Sequence, residues 1–213
     1  MKTMPNADHD LIKLKAHIAE NIPGFEVKAK NESKFVKFLS YLLFFNKGFM
    51  TRYITTLYPR IFIPTLAWED KNTLSTVIVY AHEYVHLKDR HLMGWLFNYL
   101  YLTPQLYSLF ALLAIFASNW WLLSLLFLLP LPSPGRMWLE LRGYTMSMAV
   151  THWYGYTVSP SHYVNYFTKS GYYWMFPSKK IMEWLLWREY EKICADELNP
   201  LLQEVKDVLF PEK

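Results

Sequence analysis

From Trp95 to Leu131 the chain runs for 37 residues without one charged side chain, and no other stretch constrains its fold as much. An uncharged run of this length exceeds what a transmembrane helix needs. Asn98, Pro104, Gln105, Ser108, Ser118, Asn119 and Ser124 interrupt it, and Pro130-Leu131-Pro132-Ser133-Pro134-Gly135 closes it with a break. Over all 213 residues apolar side chains make up 53%, aromatic ones 18% and charged ones only 19%, against about 25% charged in an ordinary soluble domain. That composition excludes disorder and makes contact with lipid or a large partner surface an expectation.

The flanking sequence reads as mainly helical. Leu11, Leu14, Ile18 and Ile22 recur at helical spacing from Asp8 to Asn21, and Pro23-Gly24 ends that helix. Phe35 to Phe45 is an apolar helix too short to span a bilayer. Tyr53–Tyr58 and Arg60–Pro64 are rich in β-branched and aromatic residues and read as two short strands, with Tyr58-Pro59 between them. Pro64 suits an edge strand, because proline donates no ladder hydrogen bond. Asn72-Thr73 can cap a helix from Leu74 to Arg90. Arg136–Val150 reads as another helix, His152–Pro177 as irregular and Tyr-rich, and Ser178–Leu209 as amphipathic helix broken near Pro200. The expected fold is mainly α with a small β-sheet (α+β). It is expected as a single domain over residues 1–213, with 95–131 an apolar helical hairpin inserted in it.

Within the Leu74–Arg90 helix stands His82-Glu83-Tyr84-Val85-His86, the pattern H-E-x-x-H. Residues four apart on a helix share one face, so His82 and His86 can hold one metal ion from the same side. Glu83 can then serve as general base toward a metal-bound water. Val77, Ile78, Val79, Val85 and Leu87 make this helix apolar on most sides, which predicts that it is buried. Buried His and Glu side chains need partners, and a metal ion supplies them.

Tight zinc sites of this kind add a third protein ligand. One large class places a His six residues after the second His, past a Gly turn. Here those positions are Leu92 and Asp89, and His91 is one residue out of register. Among the acidic residues that follow His86, Glu140 stands apart, flanked by Trp138-Leu139 and Leu141 in a helix expected to be buried, where an unpaired carboxylate is costly. Glu140 is the expected third ligand.

On these residues the chain resembles the gluzincins, zinc peptidases with H-E-x-x-H on one helix and a Glu ligand on the next. The resemblance covers His82 to His86 and Glu140-Leu141-Arg142-Gly143-Tyr144. The apolar stretch between the motifs makes it similar to the membrane-embedded gluzincins that process prenylated or damaged membrane proteins. It implies that His82, His86 and Glu140 bind Zn2+ and that Glu83 is the catalytic base. These families commonly carry E-x-x-x-D, whose Asp orients a zinc-bound His; here Tyr144 takes that place, leaving Asp89 or another acceptor to do so.

If His86 and Glu140 share one ion, the insert between them crosses a membrane an even number of times, dips in and returns, or stays outside. Thirty-seven helical residues extend about 55 Å, whereas two crossings need about 60 Å before any turn. A shallow hairpin turning near Ser118-Asn119 fits better, with Trp120-Trp121 near its tip. Lys88, Arg90, Arg136 and Arg142 flank it and favour two cytoplasmic ends; a soluble helical pair is the other option.

The net charge of +4 is modest and no nucleic-acid module is present, so no nucleic-acid partner is expected. The early lysines (Lys28, Lys30, Lys34, Lys37, Lys47) form an amphipathic pattern that also suits a membrane surface. Cys194 is the single cysteine, which leaves no intramolecular disulfide. The first twenty residues lack the apolar core of a cleaved signal peptide. The expected activity is zinc-dependent hydrolysis of peptide bonds in a protein or peptide substrate, on the cytoplasmic side and in association with a membrane. Another zinc hydrolase, or a non-catalytic membrane or scaffold protein with a vestigial zinc helix, are the alternatives. His152, His162, Tyr144, Tyr172 and Tyr173 are candidates for stabilising an oxyanion, with nothing to choose among them.

Overall fold

The structure, a computed structural model, describes residues 7–42, 48–51, 53–68, 73–129, 131–169 and 174–211. It is mainly α with a small three-stranded mixed sheet, as the periodicities predict. The helices are α1 (Ala7–Asn21), α2 (Lys34–Leu42), α3 (Thr73–Met93), α4 (Trp95–Leu102), α5 (Pro134–Trp153), α6 (Pro160–Thr168), α7 (Lys179–Cys194) and α8 (Pro200–Leu209). The strands are β1 (Glu26–Ala29), β2 (Thr55–Leu57) and β3 (Arg60–Ile63). Residues 43–45 of the expected second helix and the expected cap Asn72 lie outside the described residues.

The chain divides into two compact units, one of residues 1–92, 146–157 and 198–213, the other of 93–145 and 158–197. In the first, Leu14 and Ile18 of α1 are fully buried, as are Val77, Tyr80, Tyr84 and Leu87 of α3. Ten of the 21 residues of α3 are buried, spread round the helix, which is why it reads as apolar on most sides. A polar network ties α3 to α1 and α8. Tyr84 donates its hydroxyl to Glu204, His17 Nε2 lies 2.8 Å from Glu204 Oε1, and Lys88 Nζ donates to Asn21 Oδ1 at 3.1 Å. Burial works against the charge on Glu204, but the hydrogen bonds from Tyr84 and His17, with Lys88 beside them, outweigh it and hold the carboxyl below the ordinary range.

The sheet corrects one expectation. Arg60–Pro64 suits an edge strand by sequence, yet β3 is central, parallel to β1 and antiparallel to β2. Pro64 lies just beyond the last paired residue, Ile63, so its missing N–H costs the ladder nothing. β1 has no counterpart in the sequence pattern, because four residues are too few for alternation to stand out. Among the described residues β2 pairs with β3 alone, on register Thr56↔Ile61, so β2 is the edge next to the strand that leads to α3. Val36, Phe49 and Phe62 form a small core there.

In the second unit the apolar run is a hairpin of a different kind from the one expected. α4 ends at Leu102, and two 3-10 helices follow, Gln105–Ile115 and Asn119–Leu128, packed on each other with the reversal at Phe116–Ser118. The turn falls where the sequence places it, but the winding is tighter than α. No helix among the described residues is long and apolar enough to cross a membrane. Gly135 fits α5 against α4, since a Cβ there would lie 2.7 Å from the Leu100 carbonyl oxygen. The segment 152–177 expected to be irregular contains α6, which starts with Pro160 in its first turn, a position that requires no N–H donor.

Candidate metal centre

α3 presents His82 and His86 one turn apart, both buried, with their Nε2 atoms 3.1 Å from each other. Two imidazole nitrogens that face each other at this distance share either a proton or a cation. Glu140, also buried, comes from α5, and one ligand atom from each of the three residues lies within 4.8 Å of the others. Two ligands on a tetrahedral ion with bonds of 2.0–2.1 Å sit about 3.3 Å apart. The observed His–His separation is within a few tenths of an ångström of that edge, and the N, N, O donor set suits a divalent ion. The group can hold a metal ion. His82, His86 and Glu140 thus stand together, as the sequence places them.

His82 and Glu140 are each held by a neutral hydroxyl that sequence reasoning missed. His82 Nδ1 lies 3.2 Å from Ser147 Oγ on α5. With Nε2 turned to an ion, Nδ1–H donates to Ser147, which fixes both tautomer and ring plane. Ser147 is seven residues after Glu140, two helical turns on, so it shares that face of α5. This is the acceptor that Tyr144, four residues after Glu140, does not provide. Tyr144 stacks on Tyr166 at 5.1 Å and packs edge-on to Phe167 at 5.4 Å. Ser147→Ala is expected to weaken metal binding at this group about 10–100-fold while leaving the fold intact. Competition with a chromophoric chelator measures it; an unchanged affinity would remove Ser147 from the site.

Glu140 accepts a hydrogen bond of 2.7 Å from the Tyr101 hydroxyl. Arg136, one turn before Glu140, donates Nε–H to the Tyr101 carbonyl at 2.8 Å and packs its guanidinium on the Tyr101 ring at 5.1 Å. Glu83, half-buried on α3, accepts 2.6 Å from Thr56 Oγ1 of the edge strand β2. The carboxylate expected to act as base is therefore oriented from the strand side.

Lys30 is the other surprise. By sequence it belongs to an amphipathic run of lysines, but here it is fully buried; Lys47 of that run lies outside the described residues. Its ammonium donates to the Phe49 carbonyl and lies 4.2 Å from the Phe49 ring centroid. Burial pushes its pKa down from an ordinary 10.5 to about 8, and the Glu83 charge partly offsets that push. Between pH 8 and 10.5 the unfolded chain therefore binds more protons than the folded one, and stability rises with pH across that window. The contribution is at most about 1.4 kcal/mol per pH unit. Urea unfolding from pH 7.5 to 10 is expected to show this rise relative to Lys30→Met, and a constant difference between the two proteins would contradict it.

Of the remaining candidates, His162 packs edge-on to Tyr163 and Tyr166 in the aromatic cluster around Tyr144. His152 is half-buried in the last turn of α5, while Tyr172 and Tyr173 lie outside the described residues. His91, the off-register histidine, bonds Tyr58 through Nδ1 at 2.8 Å. Comparison with protein-family models, with curated proteins and with solved structures finds no match to this chain.

Proposed function

We propose that the chain is a zinc-dependent metallopeptidase of the gluzincin type, with His82, His86 and Glu140 as metal ligands and Glu83 as general base. The observation that carries this reading is the buried group of two imidazoles and a carboxylate with Glu83 next to the first ligand on the same helix. Zinc is the ion this N, N, O set suits, and bound there it would polarise a substrate carbonyl and acidify a water molecule.

The residues supply the rest. Glu83 takes the proton of the attacking water and passes it to the leaving amine. Thr56 donates to Oε2 of Glu83 and so sets which carboxylate oxygen turns toward the proton. β2 carries Thr56 and, among the described residues, has an outer edge that a peptide in extended form can pair with, bringing its backbone alongside the base. Tyr101 and Ser147 hold Glu140 and His82 in the rotamers that a three-ligand site needs. A purely structural ion site has no use for an oriented Glu83, which favours catalysis over a vestigial scaffold.

The test is incubation of the purified, zinc-loaded chain with a mixture of unstructured peptides in ¹⁸O-labelled water. Cleavage with label at the new C-termini is expected, lost on chelation and restored by zinc. Absence of any chelator-sensitive peptide cleavage would overturn the reading, and hydrolysis of esters alone would place the chain among other zinc hydrolases.

A further inference from the structure

The 3-10 hairpin shows a periodicity of three that matches its winding. On the first leg Ser108, Ala111 and Ala114 make one stripe, half-buried against the second leg. From the second leg, Ser124 and Phe127 face back: Ser124 Oγ donates to the Ser108 carbonyl at 3.3 Å, and Phe127 packs edge-on to Tyr107 at 5.4 Å. The other two stripes of each leg are apolar and largely exposed. Leu109, Leu112 and Ile115 form one on the first leg, and Phe110, Leu113 and Phe116 the next, with Phe116 at 87% exposure. Leu122, Leu125 and Leu128 form one on the second leg. Trp120, Leu123, Leu126 and Leu129 form its neighbour, with Trp120 at 79%.

We infer that this hairpin docks into one leaflet of a lipid bilayer. Two stripes in three are apolar on both legs, so apolar surface surrounds the hairpin; a protein partner covers one face, whereas lipid covers all of them. The backbone donors and acceptors of each leg are satisfied within the leg by its 3-10 hydrogen bonds, apart from its ends, as a lipid environment requires. Eleven and ten residues at about 2.0 Å each make legs of roughly 20–22 Å, matching one leaflet with its headgroups and falling short of the ~30 Å hydrocarbon core.

The open end of the hairpin carries a cation and the tip does not. Arg136 donates to Gln105 Oε1, at the first residue of the first leg, as well as to the Tyr101 carbonyl, and this places a guanidinium at the level of the lipid phosphates. Tyr99 and Tyr107 pair their hydroxyls at 2.8 Å at the same end, where an aromatic belt is favoured. At the tip Ser118 accepts from Trp120 N–H, which occupies its hydroxyl oxygen. Docking stands on the hairpin alone and does not depend on the peptidase reading.

The experiment is co-sedimentation of the purified full chain with vesicles of phosphatidylcholine and phosphatidylglycerol, scored without reference to hydrolysis. Wild type is expected to pellet with the vesicles, and L112E/L125E, altered only at exposed positions, to lose at least tenfold in partitioning with unchanged circular dichroism. Equal partitioning of the two proteins, or no partitioning of wild type, would overturn the inference. So would a defined oligomer of wild type that ignores vesicles and falls to monomers in L112E/L125E, because it would assign the surface to a second copy of this chain.

Discussion

Glu83→Gln is expected to leave zinc bound and to lower peptide hydrolysis by about 10²–10⁴-fold, the range over which a positioned general base contributes. The substitution is nearly isosteric, and the amide oxygen can still accept the Thr56 hydroxyl that now reaches Oε2 at 2.6 Å. Neither the helix nor the metal ligands are disturbed, since Glu83 is half-buried and turned toward β2 while His82 and His86 face each other. What is lost is the ability to take a proton. Hydrolysis measured under single turnover, with zinc content determined on the same sample, separates the two properties. Undiminished hydrolysis by the variant would remove Glu83 from the chemistry.

Glu140→Ala acts on the other property. It deletes one of three protein donors, leaving two imidazoles on one helix and a Tyr101 hydroxyl without the carboxylate it now bonds at 2.7 Å. Removing an outer hydrogen-bond partner of a metal ligand costs about 10–100-fold in affinity; removing a ligand itself is expected to cost more than 100-fold. Hydrolysis falls in parallel and recovers only in part at high zinc. Wild-type affinity in this variant would mean that a different side chain completes the centre.

Much of the site was legible because it is made of groups that are expensive to bury. His82, Glu83 and His86 lie on a helix with too little polar surface to be solvated, and Glu140 lies between Trp138-Leu139 and Leu141, so each demands a partner. The supporting residues gave no such signal. Thr56, Ser147 and Tyr101 are neutral, common residue types, and their bonds span 27, 65 and 39 positions of sequence. Ser147 had one trace, its seven-residue spacing from Glu140, but the expected orienting position four residues on drew attention to Tyr144 instead. Lys30 misled for a related reason: an amphipathic lysine pattern says nothing about which member the chain folds over, and this one is buried with its ammonium on Phe49. The sheet order was beyond reach, because β1 enters as the parallel partner of a strand 34 positions away. In the hairpin, small residues at Ser108, Ala111 and Ala114 carry a period of three that a search at 3.6 averages away.

The central claim is that His82, His86 and Glu140 hold one zinc ion. Its most direct test is the metal content of the purified full chain after dialysis against a weak chelator, read by mass spectrometry of the elements. About one zinc ion per chain is expected for a site with three protein ligands and a fourth position open to water, falling to near none in Glu140→Ala. A wild-type chain that retains no metal, even after exposure to excess zinc, would contradict the account.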